Sequence, residues 1–135
     1  MKSTTIMIVL LTLISSAIAA SEVKGQIMNV VWPDPLVYTS SSIRPWVFIE
    51  NTGNDAIRFH VQFSIQDPNG KWYTGGCWPT DIIDASGSKV VWPYSVDVTV
   101  SMPRGSYGAK VTLYGDSCGR NVLDSVTKPS AFIVS

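Results

Sequence analysis

The sequence predicts an all-β protein, a single antiparallel β-sandwich of seven to eight strands behind an N-terminal export segment, and three observations lead there. Residues 57–66 alternate strictly, with Ile57, Phe59, Val61, Phe63 and Ile65 apolar and Arg58, His60, Gln62, Ser64 and Gln66 polar. That period of two sends one strand face to a core and the other to water, whereas a 3.6-residue period would scatter the same apolar groups around a helix. Short apolar runs separated by Gly, Pro, Asn and Asp clusters recur along the rest of the chain, the pattern of a sandwich. No stretch after the first twenty residues keeps helical periodicity over ten positions.

Taken in order, residues 1–20 read as a secretory signal peptide. Lys2 gives a positive start, Ile6 to Leu13 an apolar run broken only by Thr12, and Ala17-Ile18-Ala19 a small-x-small cleavage site. The run is short of the ~20 residues a membrane-spanning helix needs, and no Cys follows the cleavage site to carry a lipid, which leaves an uncleaved signal anchor as the one expected route to a membrane. Residues 21–135 then form the sandwich domain, 115 residues being enough for one core and not two. Gln26 to Trp32 is the first strand candidate, stopped by Pro33 and Pro35, which have no N–H to give to a ladder. After a Thr/Ser-rich connection, Ile43 to Glu50 places Ile43, Val47 and Ile49 on one face and Trp46 and Phe48 on the other. Asn51-Thr52-Gly53-Asn54-Asp55 is a turn leading into the alternating strand.

Asp67-Pro68-Asn69-Gly70 has the signature of a type I turn, and Lys71-Trp72-Tyr73 follows as the hairpin partner. Gly75 to Pro79 reads as irregular, Asp84 to Ser88 as a loop, and Lys89 to Trp92 as a strand again ended by proline. The motif Val-Val-Trp-Pro therefore occurs at 30–33 and at 90–93; the residues after each copy do not correspond, so no internal repeat is read. Val96 to Met102 and Tyr107 to Tyr114 alternate as one-sided strands. Gly115 to Asn121 is a loop holding Cys118. Val122 to Val126 and Ala131 to Val134 are either one bent strand or two pieces, split by Lys128-Pro129.

Charge and cysteines bound the partners. Without Lys2 the chain carries nine Lys and Arg against ten Asp and Glu, which supplies no basic surface for a nucleic acid. Two cysteines in an exported protein point to one disulfide, Cys77 to Cys118. It would close a loop of about 42 residues and stabilise by roughly 4 kcal/mol.

No catalytic constellation is present, and no cofactor is implied. The lone His60 falls on the polar face of its strand, where no nucleophile or carboxylate is spaced to work with it. Loop carboxylates Asp81, Asp84, Asp116 and Asp124 are the type of group calcium uses, but lack any recognised spacing, and two Cys with one His make no zinc set. No metal site is expected. Five tryptophans are the sharpest functional lead. Trp46 is expected in the core; Trp72, Tyr73 and Trp78 are the candidate ligand-binding group, since exposed rings beside rigid prolines stack on sugars or anchor protein interfaces. The competing reading is that the rings cover the open ends of the core.

Met102-Pro103-Arg104-Gly105-Ser106-Tyr107-Gly108-Ala109 resembles the corner between the fifth and sixth strands of immunoglobulin-like domains, with Tyr107 as the corner tyrosine whose hydroxyl bonds back to nearby backbone. Ala109 stands where that family has cysteine, so the usual inter-sheet disulfide is absent. The stretch from Pro45 through Asn51-Thr52-Gly53 to Gly70, followed by this corner, is similar to exported prokaryotic CARDB-like (cell-adhesion-related) domains. The likeness spans roughly residues 25 to 134. It implies an immunoglobulin-like fold and a non-catalytic binding or adhesion module, secreted or at the cell surface, with an extracellular protein or glycan as partner. The alternatives are a carbohydrate-binding module using exposed aromatic residues and a structural envelope subunit.

Overall fold

A computed structural model of the protein describes residues 22–135; the predicted signal peptide lies outside them. Eleven strand segments follow one another: β1 (Gly25–Val31), β2 (Leu36–Val37), β3 (Ser41–Ile43), β4 (Trp46–Asn51), β5 (Ile57–Gln66), β6 (Trp72–Thr74), β7 (Trp78–Ile83), β8 (Ser88–Val91), β9 (Val96–Val98), β10 (Gly105–Ser117) and β11 (Arg120–Val134). One sheet has the order β1-β4-β8, the other β2-β11-β10-β5-β6 with β7 also on β5, and β3 pairs with β9. All pairings are antiparallel except β2 with β11.

The eleven segments are eight strands with three interruptions. The β4–β8 ladder ends at Val47 opposite Val91, and the β3–β9 ladder takes it up at Ile43 opposite Val96 and runs to Ser41 opposite Val98. The gap holds Pro45 and Pro93, both buried, neither able to donate to a ladder. On the other sheet, β6 pairs with Ser64 to Gln66 and β7 with Ile57 to Val61 of the same strand. The excursion between them is Gly75 to Cys77. There the Gly75 N–H donates to the Phe63 carbonyl (2.8 Å), and the Gln62 side chain donates to the Gly75 carbonyl (3.0 Å). A Cβ on Gly75 would lie 3.0 Å from the Tyr94 carbonyl oxygen, so the β8–β9 connection fits only against glycine.

This corrects the sequence reading at β7. Trp78 and Pro79, read as the end of an irregular stretch, instead open the strand Trp78–Ile83; it forms because β5 offers its free edge, and at the register shift the Phe59 N–H is taken up by the buried Thr80 hydroxyl (3.0 Å). The C-terminal segment is one bent strand, with an irregularity opposite Gly108.

The core lies between the two layers. Phe59, Val61, Phe63 and Ile65 of β5 have no exposed surface, nor do Tyr107, Ala109, Val111 and Leu113 of β10, and Val47 and Ile49 of β4 meet them from the facing sheet. The Tyr107 ring stacks on Phe132 (5.3 Å), and its hydroxyl donates to the Pro103 carbonyl four residues back. Gly105, at φ 130°, opens that corner, a backbone angle that disfavours any side chain.

Cys77 and Cys118 are bonded, with Cα atoms 5.7 Å apart. Cys118 sits at the tip of the tight β10–β11 hairpin, past the last β10–β5 pair at Tyr114 and His60, and Cys77 in the excursion between β6 and β7. The bond ties together segments on either side of β5.

Candidate functional site

The chemically distinctive surface is built where the prolines interrupt the smaller sheet. In β4 the alternation gives Val47 and Ile49 to the core, so Trp46 and Phe48 must face outward. Trp46 is 51% exposed, which overturns the expectation that it is buried. Strand parity outweighs ring size, and the core volume is already filled by Phe59, Phe63, Tyr107 and Phe132.

The two Val-Val-Trp-Pro copies end β1 and β8, the two neighbours of β4. Val30 and Val91 both pair with Val47 and point inward, while Val31 pairs with Trp46 and points outward. One step past the last β4–β8 pair, Trp92 meets Trp46 edge to face, centroids 5.8 Å apart, an arrangement favoured by the ring quadrupoles. Trp92 is 40% exposed. Trp32, the residue after the end of β1, is partly buried and packs against the core.

Three depressions adjoin this row. The largest, about 570 Å³, lies where the chain crosses from β1 to β2, bounded by Trp32, Asp34, Tyr38, Arg44 and Trp46 with Ser41 and Ser42 of β3. A second, about 320 Å³, lies between β7 and β8 and brings Trp78 and Pro79 opposite Trp92. Its lining includes the exposed pair of the Lys89 ammonium and the Asp81 carboxylate (3.1 Å). A third, about 370 Å³, is formed by Met28, Phe48 and Val90 on the outer face of the sheet. The contact between Trp46 and Trp92 joins the first two into one aromatic belt.

The three ring residues singled out from the sequence do not share a surface. Trp72 is exposed on β6 with the Lys110 ammonium 4.7 Å from its ring centroid. Tyr73, its neighbour, points the other way, packs against the core and donates to the Asp67 carboxylate (3.0 Å). Burial and then this hydrogen bond push the Tyr73 phenol up from its ordinary pKa. At Asp67 burial also pushes upward, but the Lys71 N–H, the Tyr73 hydroxyl and the Asn69 N–H together hold the carboxyl below its ordinary value. Trp78 stands alone of the three in the belt, its ring edge to face with Tyr94 at 5.0 Å.

His60 lies on the outer face of β5 between Tyr114 and Pro79. It is half-buried and not simply solvent-facing, and its Nδ1 is shielded with no hydrogen-bond partner. Asp124 accepts the Ile27 N–H (2.8 Å) and Asp81 pairs with Lys89; among the described residues no three His, Cys, Asp or Glu gather as metal ligands. The residues that sequence reasoning missed are Trp46, Trp92 and Tyr38. The repeated Val-Val-Trp-Pro was the available signal, but only strand pairing reveals that both copies flank β4.

No family model and no curated protein matches the chain. Among solved structures, the C-terminal domain of wzt matches 85% of this chain and 75% of its own length at 8% identity and TM-score 0.59. A part of β-glucosidase 3B from Thermotoga neapolitana, solved with α-D-glucose, matches 82% of this chain at 20% identity and TM-score 0.57. A CARDB domain, the type the sequence resembles, is also among the matches: that of a Pyrococcus furiosus protein solved with di-metal ions, covering 84% of this chain and 93% of its own at 16% identity and TM-score 0.48. The chain spans a third or less of the first enzymes it matches, 33% and 16% of their lengths. At these identities the first two likenesses establish the sandwich fold and no activity.

Proposed function

We propose that this chain is an exported, non-catalytic β-sandwich module that binds an extracellular protein or glycan through the aromatic belt centred on Trp46 and Trp92. One observation carries the reading: two indoles, 51% and 40% exposed, are held edge to face on backbone interrupted by the buried prolines Pro45 and Pro93. Large apolar surface left in water at a fixed geometry is the usual anchor of an interface, because it loses little conformational freedom on binding. The Cys77–Cys118 bond supports an oxidising compartment.

Adhesion is the expected use of such a module, and a carbohydrate-binding role fits the same rings. The structural envelope subunit draws less support, since strand addition needs an open edge and the long edge of β11 carries Lys128 and Pro129, residues that discourage pairing.

The test is capture from culture supernatant or envelope fraction by the wild-type protein and by the double variant Trp46→Ala/Trp92→Ala. A partner retained by the wild type and lost by a correctly folded double variant is expected. Equal capture by both proteins would remove the belt from the binding surface.

A further inference from the structure

The 570 Å³ groove is within the range of about 300–1,000 Å³ typical of small-ligand sites, and its chemistry is mixed in a specific way. Three rings, Trp32, Tyr38 and Trp46, reach it from three separate segments. Between them stand one carboxylate, Asp34, one guanidinium, Arg44, and the hydroxyl of Ser41, while the Ser42 hydroxyl at the margin donates to the Asp97 carboxylate. One charge of each sign leaves the lining with no net charge to favour an anion over a cation. The polar groups supply both donors and acceptors around the rings.

We infer that this groove binds a neutral oligosaccharide, an inference that rests on the binding-module reading above. A pyranose has an apolar C–H face to lay on an indole or phenol and a rim of hydroxyls for Asp34, Arg44 and Ser41. An acyl chain would fill the volume but strip water from Asp34 and Arg44 without replacing it, which is costly for charged groups. A proline-rich peptide would use the rings and leave most of the polar lining idle. Two of the rings are pre-organised: Trp46 is braced by Trp92, Trp32 is packed on the core, and Pro33 and Pro45 flank them. Those two rings have little freedom left to lose on binding.

The experiment is calorimetric and tryptophan-fluorescence titration with panels of short neutral oligosaccharides, anionic oligosaccharides and proline-rich peptides. The variants are Trp46→Ala, Arg44→Ala and, as a control on the other sheet, Trp72→Ala. Saturable binding of a neutral oligosaccharide with a change in tryptophan emission is expected. Trp46→Ala should weaken it by about 30-fold and Arg44→Ala by about tenfold, with Trp72→Ala unchanged. Sugar binding indifferent to Trp46→Ala overturns the groove. Binding of only peptides or only anionic sugars overturns the ligand class, as does the absence of any sugar binding while Trp46-dependent capture persists; the module reading survives in those cases. If neither sugar binding nor Trp46-dependent capture is seen, both readings fall.

Discussion

Two polar side chains do more for this fold than their exposure-averse surroundings would suggest. Asn51, fully buried, donates from Nδ2 to the carbonyls of Asp55 (2.8 Å) and Ile83 (2.9 Å) and accepts the Gly53 N–H (3.0 Å) on Oδ1. It thereby fastens the turn after β4 to the end of β7. Asn51→Ala should lower stability by about 2–3 kcal/mol through the buried groups it strands, read as a lower urea midpoint at unchanged slope. Asp67 does the same for the turn after β5. Because its folded-state pKa is depressed, the stability it contributes is fully present above the unfolded value and is lost as pH falls through the folded one. Asp67→Asn is therefore expected to be less stable than wild type at neutral pH, with the gap closing below about pH 4 in acid-unfolding curves. The asparagine of the Asn-Thr-Gly turn was legible as a turn residue, but its reach to Ile83 was not, since the two are 32 positions apart.

At the scale of elements, β5 is the strand the sequence states most openly. Phe59, Val61, Phe63 and Ile65 are all fully buried and Arg58 is exposed, as alternation requires. Phe63→Ala should cost about 3–5 kcal/mol and Arg58→Ala less than about 0.5; equal effects in denaturant titrations would contradict the assigned faces. The strands that were harder to read are those shaped by a neighbour. β7 has no alternation of its own and exists because β5 has a second half to pair, and the β4 and β8 strands continue into β3 and β9 through a shared proline break. Trp46 shows the same limit from the other side. Its parity already placed it opposite Val47 and Ile49; the expectation of burial came from its size alone.

Over the whole molecule, the disulfide is the longest covalent constraint, closing 41 positions of sequence separation across β5. Cys77→Ser/Cys118→Ser should destabilise by roughly 4 kcal/mol on the chain-entropy account, a large part of a small domain's stability. Intact mass of the exported wild type should be lower by the two hydrogens of one bond and by residues 1–20; two free thiols would remove the constraint. The aromatic belt also belongs to this scale. No single strand carries it, and the groove beside it needs β1, β2, β3 and β4 at once.

The sequence by itself determined the faces of β4, β5 and β10, the turn at Asp67 to Gly70, the tyrosine corner at Tyr107 and the availability of two cysteines, because each depends on neighbours a few bonds away; the strand read over Val96 to Met102 stops at Val98 and leaves Val100 exposed in a turn. Only the tertiary structure decided that two distant Val-Val-Trp-Pro ends would flank one strand, and that Trp46 and Trp92 would meet in water beside a polar-lined groove. The physical reason is range: side-chain alternation is a property of one strand, while which strands lie side by side depends on how every layer and crossing closes around the core.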